Sequence, residues 1–426
     1  MARRLAVLVA VATFGAVAAP HASACTLWAS SKGSDRASGE ARAPFRTVHR
    51  LLAALPGGSV GCLVGGSTFR ERVWITRPVT LTTTGRGVTV IGGIVVAHSA
   101  PGTTVRGLTV KGGGRGRAAI DVRANGTRIA GNDVSGPGFR DRSNACVLLE
   151  GVRRVVVDGN RLHNCTRASS RSLYAPGVLV RSASGSTVSN NVVYHTLGDG
   201  ISLGPNAQRT RVHRNIVDGN TNGIFISGSG STASSNNVVT ENIVSNSGGW
   251  NVHSQWGSAV GRGNVVSSNC LWHGFGGNFG GTGYSHGGNV VASPRYRRRP
   301  VDFTLTGGPC VAMHPSIVRA HLPTLPRFTV AYRLRALPKR VQVVSLTLTG
   351  LTPRSKVSVQ CTARCGTRWV GRPPRSTFAL PVLRGTWLSR GATIVVHEQV
   401  DGWQGHVARI TVTGLPGGVR IDHWNA

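Results

Sequence analysis

One short phrase built around an asparagine returns six times between residues 130 and 272 and constrains the fold more than any other feature of the chain. The central residues of the phrase, at steps of 28, 31, 24, 27 and 27 residues, are Asn132, Asn160, Asn191, Asn215, Asn242 and Asn269. A second apolar run, usually led by glycine, lies between the phrases, as in Gly200-Ile201-Ser202-Leu203. Short β-branched runs broken by Gly, Asn and Ser, without helical periodicity, indicate a repeated coil of three strands and three turns. The sequence therefore predicts an all-β chain dominated by a single-stranded parallel β-helix, which is a solenoid.

The chemistry of asparagine suits such a column. In a parallel β-helix each residue lies about 4.8 Å from its counterpart in the next coil. Asparagine tolerates the left-handed backbone of a sharp corner, and its amide both donates and accepts hydrogen bonds. We therefore expect the six asparagines to stack at one corner as a structural ladder rather than as a binding site.

Residues 1–24 have the features of a signal peptide. Arg3 and Arg4 precede an apolar run over residues 5–17 that is too short to span a bilayer, and Ala22-Ser23-Ala24 has the form of a cleavage site. We expect a mature, secreted chain that begins at Cys25. A lipoprotein anchored through Cys25 is the alternative, although Ala22 stands where such anchors usually have leucine. No other stretch of the sequence is apolar enough to span a membrane.

Eight cysteines follow the expected cleavage site, and an even number in an exported protein predicts four disulfides. Eight cysteines allow 105 pairings. We favour local pairing in chain order, which gives Cys25–Cys62, Cys146–Cys165, Cys270–Cys310 and Cys361–Cys365. None of these pairs has zinc-site spacing with histidines nearby, so we expect no zinc site.

The formal net charge is +34, and the 49 basic residues are almost all arginine. One explanation is attraction to a polyanion, such as an acidic polysaccharide, another anionic cell-envelope polymer or a nucleic acid. The other is a genome-wide preference for arginine over lysine. The arginines are scattered, apart from a run over residues 295–299, and no nucleic-acid-binding motif is present.

The segments at both ends of the repeat carry a family resemblance. The opening phrases are Lys32-Gly33-Ser34-Asp35, Pro44-Phe45-Arg46-Thr47-Val48, Pro56-Gly57-Gly58 and Gly66-Ser67-Thr68-Phe69-Arg70-Glu71, and the closing phrases are Ser293-Pro294-Arg295-Tyr296, Asp302-Phe303-Thr304-Leu305 and Gly308-Pro309-Cys310. They resemble the pectate-lyase-like superfamily of secreted right-handed parallel β-helix proteins over residues 27–313. The resemblance implies a right-handed solenoid over residues 25–313 and a capping helix at about residues 48–54. Such a cap covers strand edges that would otherwise be unpaired.

Beyond the solenoid, residues 314–339 are rich in Pro, Arg and His and are predicted to be a linker. Residues 340–426 return to period-two alternation between turn signals, which predicts a small antiparallel β-sandwich. Two elements, Val359-x-Cys361-x3-Cys365 and Ser389-Arg390-Gly391-Ala392-Thr393-Ile394, resemble modules found at the C-termini of exported actinobacterial proteins, whose usual role is attachment or binding. We expect the whole chain to be a monomer.

Side chains at one offset from the repeated asparagine should share a face of the solenoid. Three residues after successive asparagines, the sequence has Ser135, His163, Tyr194, Asp218, Ser245 and Trp272. His195 follows Tyr194, and Asp199 precedes the next strand. We therefore predict His163, Tyr194, His195, Asp199 and Asp218 as the candidate catalytic residues. The longest insertion, over residues 166–175, lies beside them and carries Arg167, Arg171 and Tyr174.

These residue types permit two chemistries. Uronate elimination needs a base and a cation beside the carboxylate, and His, Tyr and Arg can supply them. Glycoside hydrolysis needs two carboxylates across the bond, for which Asp199 and Asp218 are the only plausible pair. No cofactor is expected, and no cluster of three or four carboxylates is evident that would hold Ca²⁺.

Two hypotheses remain open. One is a secreted polysaccharide lyase or hydrolase acting on an acidic or neutral glycan. The other is a non-catalytic protein that binds glycan or builds the cell envelope, because the polar signatures of many catalytic relatives are replaced here, as in Gly200-Ile201-Ser202-Leu203. An enzyme requires the five candidate residues to converge, whereas a binding protein requires aromatic platforms such as Trp250, Trp256 and Trp272.

Overall fold

Three parallel β-sheets run the length of the solenoid and form its walls. The computed structural model describes residues 25–112, 118–136, 145–165, 175–196, 198–300, 302–313, 328–337, 340–351, 355–362, 368–371, 373, 375–389, 391–399, 406–414 and 418–425. The signal peptide that we predict over residues 1–24 lies outside these ranges. Within these ranges the architecture is all-β apart from one short α-helix and two 3-10 helices, Pro309–Met313 and Pro381–Leu383.

The strands of each sheet recur once per coil. Sheet A comprises Leu27–Ala29, Val60–Leu63, Thr80–Thr83, Thr104–Arg106, Arg128–Ala130, Val156–Asp158, Thr187–Ser189, Arg211–His213, Val238–Thr240, Asn264–Ser267 and Tyr284–Ser285. Sheet B comprises Thr68–Phe69, Thr89–Ile91, Thr109–Lys111, Asp133–Ser135, Arg161–His163, Val192–Tyr194, Ile216–Asp218, Ile243–Ser245, Cys270–Trp272 and Val290–Val291. Sheet C comprises Val73–Ile75, Ile94–Val96, Ile120–Val122, Val147–Glu150, Val178–Arg181, Ile201–Leu203, Ile224–Ser229, Trp250–Gln255 and Gly277–Gly280, with Thr232–Ala233 paired to its seventh strand.

The middle residue of each short strand in sheets A and B points into the core. In sheet A the inward column of fully buried residues is Val105, Ile129, Val157, Val188, Val212, Val239 and Val266, stacked in register. β-Branched side chains pack well on a pleated surface, so a stack of them closes each coil onto the next. The prediction of a parallel β-helix is confirmed.

The asparagine ladder is confirmed and is longer than predicted. The side chain of each of the six asparagines donates to the amide oxygen of the next, and Asn269 passes the ladder on to Asn289. The first six residues of the ladder are almost fully buried. The residue before several of them has a left-handed backbone, as at Asn190 with φ 54° and Arg214 with φ 53°. The sharp corner is therefore made by the residue before the asparagine, and the asparagine itself ties the coils together.

The predicted capping helix is also confirmed, as an α-helix over Val48–Ala54. Two carboxylates from elsewhere in the opening phrases bind its N-terminus. Glu71 accepts from the backbone N–H groups of Val48 and His49 at 2.8 and 2.9 Å, and Asp35 accepts from the N–H groups of residues 46 and 47 at 2.9 Å each. Burial alone raises the pKa of Asp35, but these hydrogen bonds outweigh it and the pKa is lowered. Anionic side chains stabilise helix N-termini, so the acidic residues of the opening phrases have a structural role.

We expect the Glu71→Ala substitution to lower the free energy of unfolding by about 1–2 kcal/mol, because it leaves two N–H groups of the capping helix without their acceptor. Urea unfolding followed by circular dichroism measures this loss. Glu40→Ala removes an exposed carboxylate from the same end of the solenoid and is the matched control. An equal loss in both variants would contradict the assigned capping role.

Three of the four predicted disulfides are present, namely Cys25–Cys62, Cys146–Cys165 and Cys270–Cys310. Cys361 is disulfide-bonded, and its predicted partner Cys365 lies outside the described residues. A sulfur that is bonded to Cys62 cannot also carry a thioether-linked lipid. The Cys25–Cys62 bond therefore opposes the alternative of a lipid anchor on Cys25.

The chain does not stop at the last coil. Tyr296–Arg298 and Asp302–Leu305 form an antiparallel ribbon, followed by the 3-10 helix Pro309–Met313. We call residues 296–313 the closing segment. It folds back over the outer face of sheet B, where Phe303, Cys310 and Met313 pack against Tyr194 and other outward-facing residues of that sheet.

Two antiparallel sheets form the C-terminal sandwich, as predicted. Sheet D contains Thr329–Leu337, Arg340–Thr349, Thr377–Ala379 and Trp387–Ser389, and sheet E contains Lys356–Thr362, Arg368–Gly371, Thr393–Gln399, His406–Gly414 and Gly418–Asn425. Buried residues of both sheets, such as Val343 and Val359, share one core.

The linker that we predict over residues 314–339 is wrong for its second part. Thr329–Leu337 is a strand that pairs antiparallel with Arg340–Thr349, and its Val330 and Leu334 pack against the core of the sandwich. Apolar residues of this strand pack against the core, but the arginines between them make the alternating strand pattern hard to recognise in the sequence. Residues 314–327 lie outside the described residues.

Candidate functional site

The predicted column on the outer face of sheet B exists. His163, Tyr194, Asp218, Ser245 and Trp272 occupy equivalent positions in successive coils. Each is the last residue of its strand, so the column lines the edge where sheet B turns toward sheet C. Counting from the repeated asparagine therefore predicts the alignment of these side chains.

A tight turn follows each member of the column. His195 has a left-handed backbone with φ 52°, and Asn164, Asn246 and His273 adopt the same conformation at equivalent positions. The strand therefore ends at Tyr194. The rule that neighbouring strand residues point to opposite faces does not apply to the turn residue His195, so the two side chains can lie together. Their rings meet edge to face with centroids 5.1 Å apart.

Tyr194 lies at the centre of this cluster. Its ring stacks on that of His163 with centroids 5.1 Å apart, and the guanidinium of Arg161 lies 4.9 Å from the ring centroid while donating to the phenol oxygen. Phe303 of the closing segment covers the tyrosine ring at 5.5 Å. The exposed fraction of Tyr194 is 0%, so neither its ring nor its hydroxyl faces solvent.

Two neighbours hold both ring nitrogens of His163. Its Nε2 lies 2.9 Å from the Asp133 carboxylate, and its Nδ1 lies 3.1 Å from the Asn164 side-chain amide, which donates. Because an amide nitrogen can only donate, Nδ1 is the acceptor in the contact with Asn164 and the N–H of Nε2 faces the Asp133 carboxylate. Burial alone raises the pKa of Asp133, but the charge and hydrogen bond of His163, together with Arg161 and Lys111, lower it overall.

Asp218 is fully buried and accepts three contacts. Ser245 Oγ and Asn246 Nδ2 each donate to Oδ1 at 2.7 Å, and Arg299 Nε lies 2.9 Å from Oδ2 in an ion pair. Because the hydroxyl hydrogen of Ser245 goes to the carboxylate, its oxygen accepts from the Tyr296 hydroxyl at 3.2 Å. Burial, followed by the charge of Asp218, raises the pKa of Tyr296 well above its ordinary value. Asp218 therefore has a structural role, because its contact with Arg299 ties the closing region of the solenoid to sheet B.

The other two predicted residues differ in their surroundings. Asp199 is buried in the turn before Ile201–Leu203, where its carboxylate accepts from Asn222 Nδ2 at 2.9 Å. Burial lowers the pKa of His195 well below its ordinary value, and the charges of Arg299, His397, Arg409 and His163 lower it further. His195 is thus a neutral, buried imidazole at neutral pH. Arg167, Arg171 and Tyr174 of the insertion lie outside the described residues.

Sequence reasoning missed the partners of these side chains. Asp133 and Arg161 come one residue after Asn132 and Asn160, so strand alternation places them on the same outer face as His163. A second column counted at that offset would have revealed them. Arg299 and Phe303 had no local signal, because they reach the site through the fold of the closing segment.

A cavity of about 540 Å³ opens beside Asp218, between the solenoid and the sandwich. On the solenoid side it is lined by Asn246, Ser247, His273, Phe275 and Arg299, and on the sandwich side by Thr393, Arg409, Thr411, Arg420, Asp422 and His423. Asp422 is the one carboxylate among these described lining residues. We call this space the interdomain cavity.

The three tryptophans proposed as sugar platforms have different environments. Trp272 is exposed at the end of the column, and Trp250 is half-buried with its ring nearly parallel to that of His253. Trp256 packs against the solenoid core and donates its indole N–H to Thr282. The role of these tryptophans as sugar platforms stays a prediction.

Within the described part of the chain, no group of three or more His, Cys, Asp or Glu side chains is arranged to hold a metal ion. None of the helices described there is long and apolar enough to cross a membrane.

Comparison with known proteins agrees with the fold. Residues 92–289 match the family model described as "Right handed beta helix region". The matched segment lies within the solenoid, whose three parallel sheets show the β-helix directly.

Several solved structures are similar at low identity. The pectate lyase Pel9A is 12% identical with a TM-score of 0.43, over 72% of this chain and 91% of that one. An alginate lyase from Paenibacillus sp. str. FPU-7 is 15% identical with a TM-score of 0.38, over 56% and 97%. XylC in complex with xylose is 11% identical with a TM-score of 0.43, over 85% and 99%. Among curated proteins no match is found.

Proposed function

We propose that this chain is an exported protein that binds an acidic polysaccharide along one edge of its solenoid and does not cleave it. The observation that carries the proposal is a row of exposed arginines at the turn between sheets C and A. Arg153, Arg154, Arg209 and Arg262 lie in this turn, and Arg211 begins the next strand of sheet A; these five residues are called here the basic edge. None of the five has a carboxylate within ion-pair distance among the described residues.

The coil repeat aligns these arginines. Arg153 pairs in register with residue 184, which pairs with residue 208 and then with residue 235, so Arg154 and Arg209 occupy equivalent corner positions two coils apart. The coil rise of about 4.8 Å places their backbones about 10 Å apart. Arg262 continues the row, because its carbonyl accepts from Asn236 just as the carbonyl of residue 235 accepts from Arg209. A straight row of cations complements an extended polyanion.

The burial of the candidate catalytic residues supports binding over cleavage. A glycosidase needs two carboxylates that reach the sugar. Asp199 and Asp218 are both buried, and Arg299 neutralises Asp218. Tyr194, the candidate base, is covered by Phe303. Export is supported by the disulfides and by the cleavage-site pattern before Cys25.

Retention on immobilised polygalacturonate tests the proposal. We expect the protein to bind this polymer, to bind neutral dextran weakly, and to elute as salt rises, because exposed charges are screened over about 8 Å at physiological ionic strength. A triple variant, Arg154→Asn, Arg209→Asn and Arg262→Asn, should bind about tenfold more weakly. Asparagine tolerates the left-handed backbone at residues 154 and 209.

The matched control removes the same charge from exposed residues at the N-terminal end of the solenoid, with Arg42→Asn, Arg46→Asn and Arg70→Asn. Equal weakening in the two triple variants would show that net charge alone attracts the polymer. Retention that does not depend on salt, or no retention at all, would contradict polyanion binding.

A second candidate function, uronate elimination, is favoured by one arrangement. Arg161, Tyr194 and His163 bring together a cation, a phenol and an imidazole, which are the groups that such a reaction uses. Unsaturated uronate released from the same polymers measures this activity directly. If it forms, Tyr194→Phe and Asp199→Asn should each lower the rate by about 100-fold while the protein stays folded. Formation of this product would replace the proposal that the protein only binds glycan.

A further inference from the structure

Sheet D of the C-terminal sandwich has an exposed outer face. The sandwich turns its other sheet toward the solenoid, because residues of sheet E such as Thr411 and Asp422 line the interdomain cavity. Among the described residues of the sandwich, the large apolar side chains that are exposed all belong to sheet D, namely Tyr332, Val344 and Trp387. Sheet D is therefore the side of the sandwich that is open to a partner.

This outer face carries positive charge only. Arg333, Arg335 and Arg340 are exposed, and the four described strands of sheet D contain no aspartate or glutamate. None of the three guanidinium groups lies within ion-pair distance of a carboxylate in the part of the chain that the structure describes. The face therefore complements a negatively charged partner.

The strand register brings a cation, an amide and an aromatic ring into one row. Arg335 pairs with Gln342, which pairs on its other side with Trp387. Leu334 and Leu388, each next in sequence to a member of the row, pack with the core of the sandwich, so the row itself points outward. Neighbouring strands lie about 4.8 Å apart, so the row spans about 10 Å.

Arg340 lies beside this row and stacks on the tryptophan. Its guanidinium carbon is 4.3 Å from the centroid of the Trp387 ring, in a cation–π contact. A planar guanidinium stacked on a ring directs its N–H groups sideways, where they suit paired hydrogen bonds with a carboxylate. Gln342 Nε2 donates to the carbonyl of Gly385 at 3.3 Å, which holds the amide beside the same ring. Groups that are held in place before a ligand arrives lose less entropy on binding.

These groups favour a ligand that has both an anionic group and an apolar ring surface. The C–H groups on one side of a sugar ring form an apolar patch that packs on an aromatic ring. The carboxylate of a uronate pairs with arginine, and its hydroxyls suit the amide of Gln342 and the exposed hydroxyl of Ser389, which lies opposite Arg340. The outer face of a sheet is open rather than enclosed, so it accommodates an extended chain.

We propose that this outer face is a second binding site for acidic polysaccharide, in which the arginines bind uronate carboxylates and Trp387 stacks on a sugar ring. The site consists of Arg333, Arg335, Arg340, Gln342 and Trp387 and is called here the sandwich face. The class of polymer rests on the proposed function, whereas the site itself is separate from the basic edge. Two sites on one chain strengthen the binding of a long polymer, because the second contact forms within the first complex.

Calorimetric titration with soluble oligogalacturonate tests the sandwich face in the full chain that carries the triple substitution of the basic edge. We expect this triple variant still to bind the oligomer. Adding Arg335→Gln and Arg340→Gln should weaken the binding about tenfold, because two carboxylate partners are lost. Adding Trp387→Ala instead should weaken it about fivefold, because the ring and the support of Arg340 are both lost, and Trp387→Phe should restore most of the affinity.

The matched control removes the same charge from exposed arginines outside sheet D, with Arg298→Gln and Arg375→Gln added to the triple variant. We expect this pair to leave the affinity for oligogalacturonate almost unchanged. Inorganic polyphosphate, a polyanion without rings, should bind more weakly, and Trp387→Ala should not alter its affinity. Equal weakening by the two pairs of arginine substitutions, or unchanged oligogalacturonate binding in Trp387→Ala, would overturn the assignment.

Two further outcomes separate this site from other partners and from the basic edge. Tighter binding to phosphatidylglycerol vesicles than to oligogalacturonate, lost in Trp387→Ala, would overturn the sugar site in favour of a membrane surface. Loss of all oligogalacturonate binding in the triple variant would contradict the sandwich face and leave the basic edge in place. Full binding in the triple variant that disappears with Arg335→Gln and Arg340→Gln would support the sandwich face and contradict the basic edge alone.

Discussion

Lowering the pH from 7 to 4 is expected to destabilise the C-terminal sandwich by about 3 kcal/mol, because His397 must stay neutral in the folded state. Burial lowers its pKa to about 3, and the charges of His406, His163 and Lys356 contribute in the same direction. His397 lies in sheet E opposite Ser358 of one neighbouring strand and Val407 of the other, so a proton on its ring has little access to water.

The direction of the effect follows from proton binding. Between the ordinary histidine pKa of about 6.5 and the folded value of about 3, the unfolded chain binds the proton and the folded chain does not. Stability therefore falls as the pH falls through this window, by about 1.4 kcal/mol per pH unit for one histidine. The lowered pKa of His195 gives the solenoid a slope of the same sign, while Asp35 and Asp133 of the solenoid, whose pKa values are also lowered, contribute only below about pH 4.

Urea unfolding at pH 7, 5.5 and 4.5, followed by tryptophan fluorescence, measures the slope. His397→Gln should lower the change in unfolding free energy with pH by about 1.4 kcal/mol per pH unit. His98→Gln, at an exposed position, should leave this slope unchanged. A slope that is equal in His397→Gln and in the unsubstituted protein would show that another group controls the acid sensitivity.

The features that sequence predicts well are those with a fixed period. The asparagine ladder and the inward valines recur at nearly constant offsets because each coil repeats the same geometry, so counting residues is enough to align them. The same counting brought His163, Tyr194 and Asp218 into one column. The family phrases predict the capping helix, and the bonds of Asp35 and Glu71 to its N-terminus explain why those phrases carry acidic residues.

The environment of the column could not be predicted in the same way. Whether Tyr194 is a base in an open groove or a buried residue depends on Phe303, which covers its ring and lies more than a hundred residues later in the sequence. The repeat does not predict this contact, because Phe303 lies beyond the last coil. The one signal of this contact was the pairing of Cys270 with Cys310, which fixes the closing segment over sheet B. A disulfide expected between a coil and a later segment therefore indicates which face that segment covers.

Removing one asparagine from the middle of the ladder is expected to lower the free energy of unfolding by about 3–5 kcal/mol, because several buried polar groups lose their partners together. Asn215 Nδ2 donates to Val188 O at 2.9 Å and to Asn242 Oδ1 at 2.9 Å. Its Oδ1 accepts from the backbone N–H of Asn191 at 3.0 Å and from the side-chain amide of Asn191 at 2.9 Å. Asn215→Ala leaves the Asn191 N–H and the Val188 carbonyl without these bonds, in a corner that water does not reach.

The end of the same ladder supplies the control. Asn289 makes the corresponding bonds to Asn269 and to Val266 O, but it is only half-buried, so water can replace the amide. Asn289→Ala should therefore cost only about 1 kcal/mol. Urea unfolding of both variants at pH 7, together with hydrogen exchange of the Asn191 amide, separates the two positions. Equal losses of unfolding free energy in the two variants would contradict this role of the ladder, and so would an Asn191 amide that stays protected in Asn215→Ala. Either result would mean that strand pairing alone holds the coils together, because the ladder can contribute only where it is both continuous and buried.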